Sequence, residues 1–245
     1  AKYLLIDTTD GLVFLSHLGM SGRYTLISGS ETARFHHVDA SSNHSKFGEL
    51  TGFDGRHDHM EFQFDDGSVA VYTDPRRFGI ADLFERAEEP IQSLLEHLGP
   101  EPLEQWTAED AAIRCKGKRS PIKTTLLDQR FVVGVGNIYA CEALHRSGIS
   151  PTRLTHTLVR KNGKPTKALT ELVKHVKDVL EAAIAVGGST LNDFAAVDGT
   201  LGYFGHHFQV YDREDGPCLK EGCHGTIERI VQSNRSTFLC PRCQK

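Results

Sequence analysis

Four cysteines near the end of the chain form two close pairs, a residue type and spacing suited to binding a metal ion. Cys218 and Cys223 have four residues between them, and Cys240 and Cys243 have two. Thiolates from two such pairs, joined by a segment able to form a β-hairpin, can converge tetrahedrally on Zn²⁺. Two disulfides are the alternative, but they are disfavoured in a chain without a secretion signal. We therefore predict one structural zinc ion.

An arginine lies near the tip of this hairpin, which we predict at residues 232–235. The planar guanidinium of Arg235 offers several donors that match the oxygens of a phosphate group. A solvated surface arginine is the alternative. The two cysteines outside the pairs, Cys115 and Cys141, are predicted to be buried thiols.

A second candidate site begins at Gly134 and Gly136, which allow the backbone to turn tightly into a helix that starts at Asn137. The free amides at the start of a helix bind anions such as phosphate. A dinucleotide-binding loop is the competing interpretation, but the third glycine and the acidic residue that this motif requires are missing. We therefore expect a phosphate site at Asn137.

The composition predicts a soluble globular protein rather than a membrane protein. The 245 residues are 39% hydrophobic, and no apolar run is long enough to span a bilayer. The formal net charge of −4 does not by itself indicate a nucleic-acid partner, since the proteins that bind nucleic acids are usually basic. Basic residues nevertheless cluster locally, at Arg114, Lys116, Lys118, Arg119 and Lys123. We expect a cytoplasmic protein with faces of opposite charge.

The hydrophobic periodicity first predicts a β-rich part. Alternating apolar residues indicate antiparallel strands at residues 12–18 and 23–27, and a hairpin over 60–71 that turns at an Asp-Gly pair. The polar stretch at 28–56 is expected to be a long loop.

From residue 90 onward the pattern becomes helical. The strongest helix is predicted over 166–186, followed by a glycine-rich segment at 187–205 and a short strand at 208–211. The buried stripe of that helix is expected to comprise Leu169, Leu172, Val173, Val176, Leu180, Ala183 and Ile184. A β-rich part followed by a helical part predicts an α+β protein.

Four segments together resemble the formamidopyrimidine-DNA glycosylase family, and the resemblance runs the whole length of the chain. The segments are HLGMSG at 17–22, YTDPRRFG at 72–79, VGVGNIYA at 133–140, and the cysteine-rich tail with Arg235. No single segment suffices, but their order leaves little room for chance.

This resemblance implies an α+β fold in three parts. Residues 1–98 would form an N-terminal antiparallel β-sandwich, incomplete here. Residues 99–210 would form a helical helix-two-turn-helix domain, in which residues 187–205 close over the damaged base. Residues 211–245 would form the zinc-finger β-hairpin.

A glycosylase must flip its target base out of the duplex, because chemistry on a stacked base is not possible. The resemblance implies that Met20, Arg76 and Phe78 fill the space that the base leaves. Core packing is the alternative for Met20 and Phe78, although their glycine-containing contexts predict turns from which side chains project.

Further DNA contacts are implied by the same resemblance. His57 and Lys118 match positions that bind phosphates next to the lesion, with His59 as the competitor for His57. Lys123 matches a lysine near the damaged base, and Asn137 matches an asparagine that binds the DNA backbone. A solvated charge is the alternative for each charged residue.

The implied activity is excision of 8-oxoguanine and formamidopyrimidines from double-stranded DNA, followed by nicking of the abasic strand. The family's nucleophile is an N-terminal proline followed by a glutamate, and this chain has neither, since it begins at Ala1 inside a predicted strand. We therefore expect that this sequence lacks the family's N-terminal segment. Its β core should then be exposed and its catalysis impaired. Supporting catalytic roles would fall to Lys2, in β-elimination, and to Arg235, in phosphate contact and δ-elimination.

The implied partner is double-stranded DNA containing oxidised purines or abasic sites, bound by a monomer in the bacterial cytoplasm, at the nucleoid and not at a membrane. The alternative function is a non-catalytic homologue that binds damaged DNA. A weaker alternative is a zinc-ribbon interaction module without a DNA role, in which Met20, Arg76 and Asn137 would be free to vary.

Overall fold

The computed structural model describes residues 3–28, 55–87, 93–186 and 208–245. These residues form two compact units: the first two ranges belong to a β unit, and the last two to a unit that contains the helices and the cysteine-rich tail. Lys2, most of the predicted polar loop and all of the glycine-rich segment lie outside the described residues. Within the described ranges, no helix has the length and apolar character needed to cross a membrane.

The β unit contains two antiparallel sheets of three strands each. One sheet has the order β1-β2-β6, and the other has the order β3-β5-β4. The strands are β1 (Tyr3–Asp7), β2 (Leu12–His17), β3 (Arg23–Ile27), β4 (Asp58–Gln63), β5 (Val69–Thr73) and β6 (Ile80–Glu85).

The predicted hairpin between β4 and β5 is confirmed, and local chemistry explains its turn. Gly67 adopts a positive φ of 78°, which glycine accepts without steric strain. The carboxylate of Asp66 accepts a hydrogen bond from the backbone N–H of Ser68 at 2.8 Å. Strand β6 was not predicted, because Ile80 and Leu83 are exposed and its residues do not alternate in burial. The position of β6 depends on its pairing with β2, which is distant in the sequence.

An edge-to-face aromatic pair joins the two sheets: the rings of Phe14 and Phe62 have centroids 5.3 Å apart. Beside Phe14 in the register lie Ile6 and Leu83, which are 46% and 55% exposed. The described residues therefore cover the inner face of this sandwich only in part.

The second unit is built around helices α1 (Ala108–Cys115), α2 (Ile122–Leu127), α3 (Asn137–Arg146) and α4 (Lys167–Ala185), with a 3₁₀ turn at Thr155–Leu158. Helix α1 begins with a capping box, in which Thr107 and Asp110 each accept the other's backbone N–H. The core of the unit includes Trp106, Leu126, Phe131, Leu144, Ile149 and Leu172, all 2% exposed or less.

Helix α4 confirms the strongest helical prediction. Its N-cap is Thr166, whose hydroxyl accepts the backbone N–H of Leu169, and six residues of the predicted stripe are buried. Ile184 is the exception: it is 66% exposed, so its assignment to the core stripe was wrong. As predicted, Cys115 and Cys141 are buried thiols.

The tail contains the predicted hairpin, with β7 (Glu228–Gln232) pairing antiparallel to β8 (Arg235–Leu239). Ser233 and Asn234 form its two-residue turn, and both have positive φ, as a type I′ turn requires. The strand predicted at 208–211 is not formed. The backbone amides there donate instead to the buried carboxylate of Glu142, at 2.9 to 3.0 Å.

Candidate nucleic-acid interface and metal centre

The four cysteines of the tail converge on one point, as the spacing predicted. Their sulfur atoms all lie within 4.8 Å of one another. The Sγ atoms of Cys218 and Cys243 are 3.9 Å apart, and those of Cys223 and Cys240 are 3.7 Å apart. Zn–S bonds of about 2.3 Å at tetrahedral angles give an S···S separation of roughly 3.8 Å. The geometry thus fits a tetrahedral zinc ion, and a disulfide would need sulfurs about 2 Å apart.

Gly225 shows that the backbone closes tightly around this metal centre. A Cβ atom at that position would lie 2.5 Å from the Sγ of Cys240 and 3.4 Å from the Sγ of Cys223. Only a residue without a side chain leaves room for the thiolates. The donor set of four thiolates is the one that structural zinc sites use, so the site fits one structural Zn²⁺.

In the β unit, two adjacent turns carry the residues predicted to fill the gap that a flipped base leaves in the duplex. Met20 and Phe78 are 54% and 55% exposed, so core packing is excluded for both. The guanidinium carbon of Arg76 lies 5.1 Å from the centroid of the Phe78 ring, a cation–π arrangement that holds the two side chains together. A Cβ at Gly19 would lie 2.6 Å from the carbonyl carbon of Phe78, so the two turns are in backbone contact.

The carboxylate of Asp74 locks these turns together. Its Oδ1 accepts the hydroxyl of Ser21 at 2.6 Å and the backbone N–H of Arg76 at 3.3 Å. Its Oδ2 accepts the backbone N–H of Gly79 at 2.8 Å. Burial acts to raise the pKa of Asp74, but these hydrogen bonds outweigh it and hold the pKa below its ordinary value. Burial and the neighbouring Asp74 carboxylate raise the pKa of Tyr72 to about 12.

The two histidines that compete for a phosphate-binding role are both exposed, but they contact the Asp74 turn differently. The ring Nε2 of His59 lies 2.9 Å from the carbonyl oxygen of Asp74 and thus supports the turn. The side chain of His57 is exposed, and its carbonyl oxygen accepts the backbone N–H of Asp74 at 2.9 Å. His57 is therefore tied by its backbone to the same turn while its imidazole faces outward.

In the helical unit, helix α3 begins as predicted, immediately after the glycines. Gly134 has a φ of +76°, and Gly136 is the N-cap, with no side chain hydrogen-bonded to the cap. A Cβ at Gly136 would meet no protein atom within 4 Å. The start of the helix therefore has an open, uncapped backbone, which an anion can approach closely.

Two predicted DNA contacts, Asn137 and Lys123, meet at the hairpin. The side-chain amide of Asn137 donates to the carbonyl oxygen of Ser236 at 2.9 Å. The amine of Lys123 donates to the same oxygen at 3.3 Å and to the hydroxyl of Thr237 at 2.6 Å. Arg235, the residue before this junction, is exposed at the start of β8.

Lys123 differs from the other candidates because its side chain is 0% exposed. Burial lowers the pKa of its amine, and Arg235 acts in the same direction. A direct contact with DNA would require a movement that exposes the amine, because the side chain is fully buried. Lys118, in contrast, is half-buried on the loop before α2, where its carbonyl oxygen accepts the backbone N–H of His156 at 2.9 Å.

Two buried polar residues of α3, Glu142 and His145, were missed from the sequence. Glu142 binds the backbone amides of residues 209–211, and the Nε2 atom of His145 lies 3.3 Å from the Sγ of Cys218. With Ile138 and Cys141 they form an i, i+3, i+4, i+7 stripe. The position of two polar residues on that stripe was the signal that could have identified them.

Comparison with protein families finds three matches along the chain. Residues 1–81 match the formamidopyrimidine-DNA glycosylase N-terminal domain, and residues 98–195 match the formamidopyrimidine-DNA glycosylase H2TH domain. Residues 216–245 match a zinc finger found in FPG and IleRS.

Curated relatives are similar over the whole chain. Formamidopyrimidine-DNA glycosylase of Agrobacterium fabrum is 46% identical over 254 aligned residues, and that of Sinorhizobium fredii is 48% identical over 254. In both comparisons all of this chain and 81% of the relative are covered.

Solved structures of a Lactococcus lactis protein are also similar. Its Fpg in complex with abasic-site DNA has a TM-score of 0.79 and 27% identity. The wild-type protein with DNA containing an oxidised pyrimidine has a TM-score of 0.78, also at 27% identity. Each comparison covers all of this chain and 79% of the other.

Proposed function

Because this chain belongs to the formamidopyrimidine-DNA glycosylase family, we propose that it excises oxidised purines, such as 8-oxoguanine and formamidopyrimidines, from double-stranded DNA. Cleavage of the abasic strand by β,δ-elimination follows. The observation that carries this function is the pair of turns joined by Asp74, which carry the exposed side chains of Met20, Arg76 and Phe78. The place of action that fits this substrate is the bacterial cytoplasm, at the nucleoid.

The exposed side chains on the two turns suit base flipping. A flipped base leaves a gap in the stack, and apolar and planar groups can fill that gap and stack on the neighbouring bases. Phe78 and Met20 supply apolar surface. The guanidinium of Arg76, stacked on Phe78, can donate to the base left without a partner.

We assign phosphate binding to hydrogen-bond donors that are exposed or half-buried. Arg235 at the hairpin tip, the open N-terminus of α3, Lys118 and His57 offer donors that bind phosphate oxygens without reading sequence. One hydrogen of the Asn137 amide is used by Ser236, and the other can bind a phosphate. Lys123 acts by holding the hairpin, because both of its hydrogen bonds are to β8.

A bound Zn²⁺ would be structural, holding the hairpin rigid without a large hydrophobic core. Cys218, Cys223, Cys240 and Cys243 would hold it. In the elimination steps, we assign proton transfer to Lys2 and contact with the departing phosphate to Arg235.

Borohydride trapping tests the catalytic part of the proposal. An amine that displaces the base from C1′ of the sugar forms an imine with the opened sugar, and borohydride reduces that imine to a stable amine adduct. The protein would be mixed with a duplex carrying 8-oxoguanine opposite cytosine. The undamaged duplex is the control, and an oxidised-pyrimidine duplex measures lesion preference.

We expect an adduct and a nicked strand with the 8-oxoguanine duplex and neither with undamaged DNA. Binding of damaged DNA without adduct or nick would overturn the proposal in favour of the non-catalytic alternative. That alternative is not favoured at present, because the relatives that match the whole chain are named as glycosylases.

A further inference from the structure

His145 is a buried histidine whose polar contact is with a metal ligand. It lies in the last turn of α3, is 2% exposed, and places Nε2 3.3 Å from the Sγ of Cys218. Its other ring nitrogen, Nδ1, is buried and has no hydrogen-bond partner among the described residues. Among the described residues, the hydrogen-bond partner that orients the imidazole is therefore the Sγ of Cys218.

The chemistry of the metal centre decides which atom donates. A zinc-bound thiolate has no proton and only accepts hydrogen bonds, so the hydrogen between Cys218 and His145 must be on Nε2. A neutral imidazole then keeps Nδ1 unprotonated, and the tautomer is set by the Cys218 contact, because Nδ1 has neither a donor nor an acceptor among the described residues. Four thiolates around one Zn²⁺ carry net negative charge, which N–H donors reduce.

The other donors to these sulfurs come from the finger itself. The backbone N–H of Lys220 is directed to Cys218, and that of Gly225 to Cys223. His145 differs because it is a side chain of α3, the helix whose first turn carries Asn137. A hydrogen bond from His145 therefore connects the metal centre directly to the helix that is proposed to bind phosphate.

We propose that His145 is a positioning residue of the metal centre: its Nε2–H donates to the zinc-bound thiolate of Cys218, slows the loss of zinc and fixes the finger to α3. A histidine that only fills space in the core is the competing explanation. The two differ in whether the N–H group matters or only the volume of the ring.

Two substitutions separate these explanations. His145→Phe keeps a planar ring of similar size and removes the donor, whereas His145→Gln places an amide N–H close to the position of Nε2. His156→Phe is the matched control, because His156 lies in the same unit and its ring contacts the carbonyl oxygen of Lys118. The measurement is the rate of zinc transfer from the folded protein to an excess of a chromogenic chelator, far below the melting temperature.

We expect His145→Phe to release zinc about 10 to 100 times faster than the wild type, the range found when partners of metal ligands are removed. His145→Gln should recover most of this loss, and His156→Phe should match the wild type. In the cobalt-substituted protein, the sulfur-to-metal charge-transfer band should move to lower energy in His145→Phe only. Wild-type release and an unmoved band in His145→Phe would refute the proposal, as would equally fast release from the Phe and Gln variants.

A measurement on the wild type covers the case in which His145→Phe does not fold. In zinc-loaded protein labelled with ¹⁵N-histidine, nitrogen chemical shifts identify the protonated ring atom of each histidine. With ¹¹³Cd in place of zinc, a scalar coupling between the metal and the Nε2 proton of His145 should be observed across the hydrogen bond. An Nδ1–H tautomer, or an observed Nε2 proton without this coupling, would overturn the proposal.

Discussion

The side-chain amide of Asn137 donates a hydrogen bond to the carbonyl oxygen of Ser236 across 2.9 Å. The first residue of α3 is thus attached to the zinc hairpin at the position next to Arg235. The buried amine of Lys123 reinforces this contact from α2. The geometry of Arg235 relative to the start of α3 therefore depends on a small hydrogen-bonded junction rather than on the hairpin alone.

Arg235 and Lys123 should respond differently to salt. Arg235→Gln removes an exposed charge that we propose binds phosphate, so the slope of log Kd against log salt should become shallower by about 1. Lys123→Met removes an amine whose bonds are to Ser236 and Thr237, so the affinity should fall while the slope stays nearly unchanged. Titrations of a labelled abasic-analogue duplex at several salt concentrations measure both slopes. A shallower slope in Lys123→Met would indicate that the amine contacts DNA directly.

Phe78→Ala should impair excision without destabilising the fold. Because the Phe78 ring is 55% exposed, the free energy of unfolding should change by less than about 0.5 kcal/mol. Excision of 8-oxoguanine in single-turnover assays should fall at least about tenfold, since Phe78 is proposed to fill the gap that the flipped base leaves in the duplex. Phe64→Ala is the matched control: Phe64 is 49% exposed in the same unit, immediately after β4. Equal excision by the two variants would remove Phe78 from the proposed interface.

Asp74→Asn should loosen the turns that carry Met20 and Phe78. An amide cannot accept the bonds from both sides of Asp74, and an unsatisfied buried group costs about 1 to 3 kcal/mol. The pKa of Asp74 is lowered in the folded protein, so its contribution to stability is present above the ordinary value of 3.8 and is lost as the pH falls through the lower folded value. Thermal unfolding should therefore show a lower melting temperature for the variant at neutral pH, and a smaller difference below pH 3.8. A difference that does not change with pH would contradict this account.

Gly225→Ala should weaken zinc binding. Its methyl group would lie 2.5 Å from the Sγ of Cys240, too close for the four sulfurs to keep their separation. Competition with a chelator of known zinc affinity measures the effect, and we expect a loss of at least about tenfold, in the range seen for damaged metal sites. Gly136→Ala is the control, because a Cβ there meets no protein atom within 4 Å. Unchanged zinc affinity in Gly225→Ala would mean that the hairpin shifts to accommodate the methyl group.

Local patterns were sufficient to predict several parts of the site. The cysteine spacing predicted the metal centre, and the glycines before Asn137 predicted the start of α3. Helix α4 and the hairpin turn before Arg235 followed in the same way. Each of these features depends on residues close together in the sequence, where backbone conformation and side-chain spacing act directly.

The contacts of Lys123, Glu142 and His145 were revealed only by the tertiary structure. Their partners lie 114, 67 and 73 residues away in the chain, counting Thr237, Gln209 and Cys218 respectively. A charged or polar residue in a sequence is most often solvated, and its burial becomes favourable only when distant donors or acceptors replace water. The sequence alone therefore determined the family, the zinc ligands and the local elements. Only the tertiary structure decided which polar residues are buried and connect the helices to the zinc hairpin, because their burial depends on packing against residues distant in the sequence.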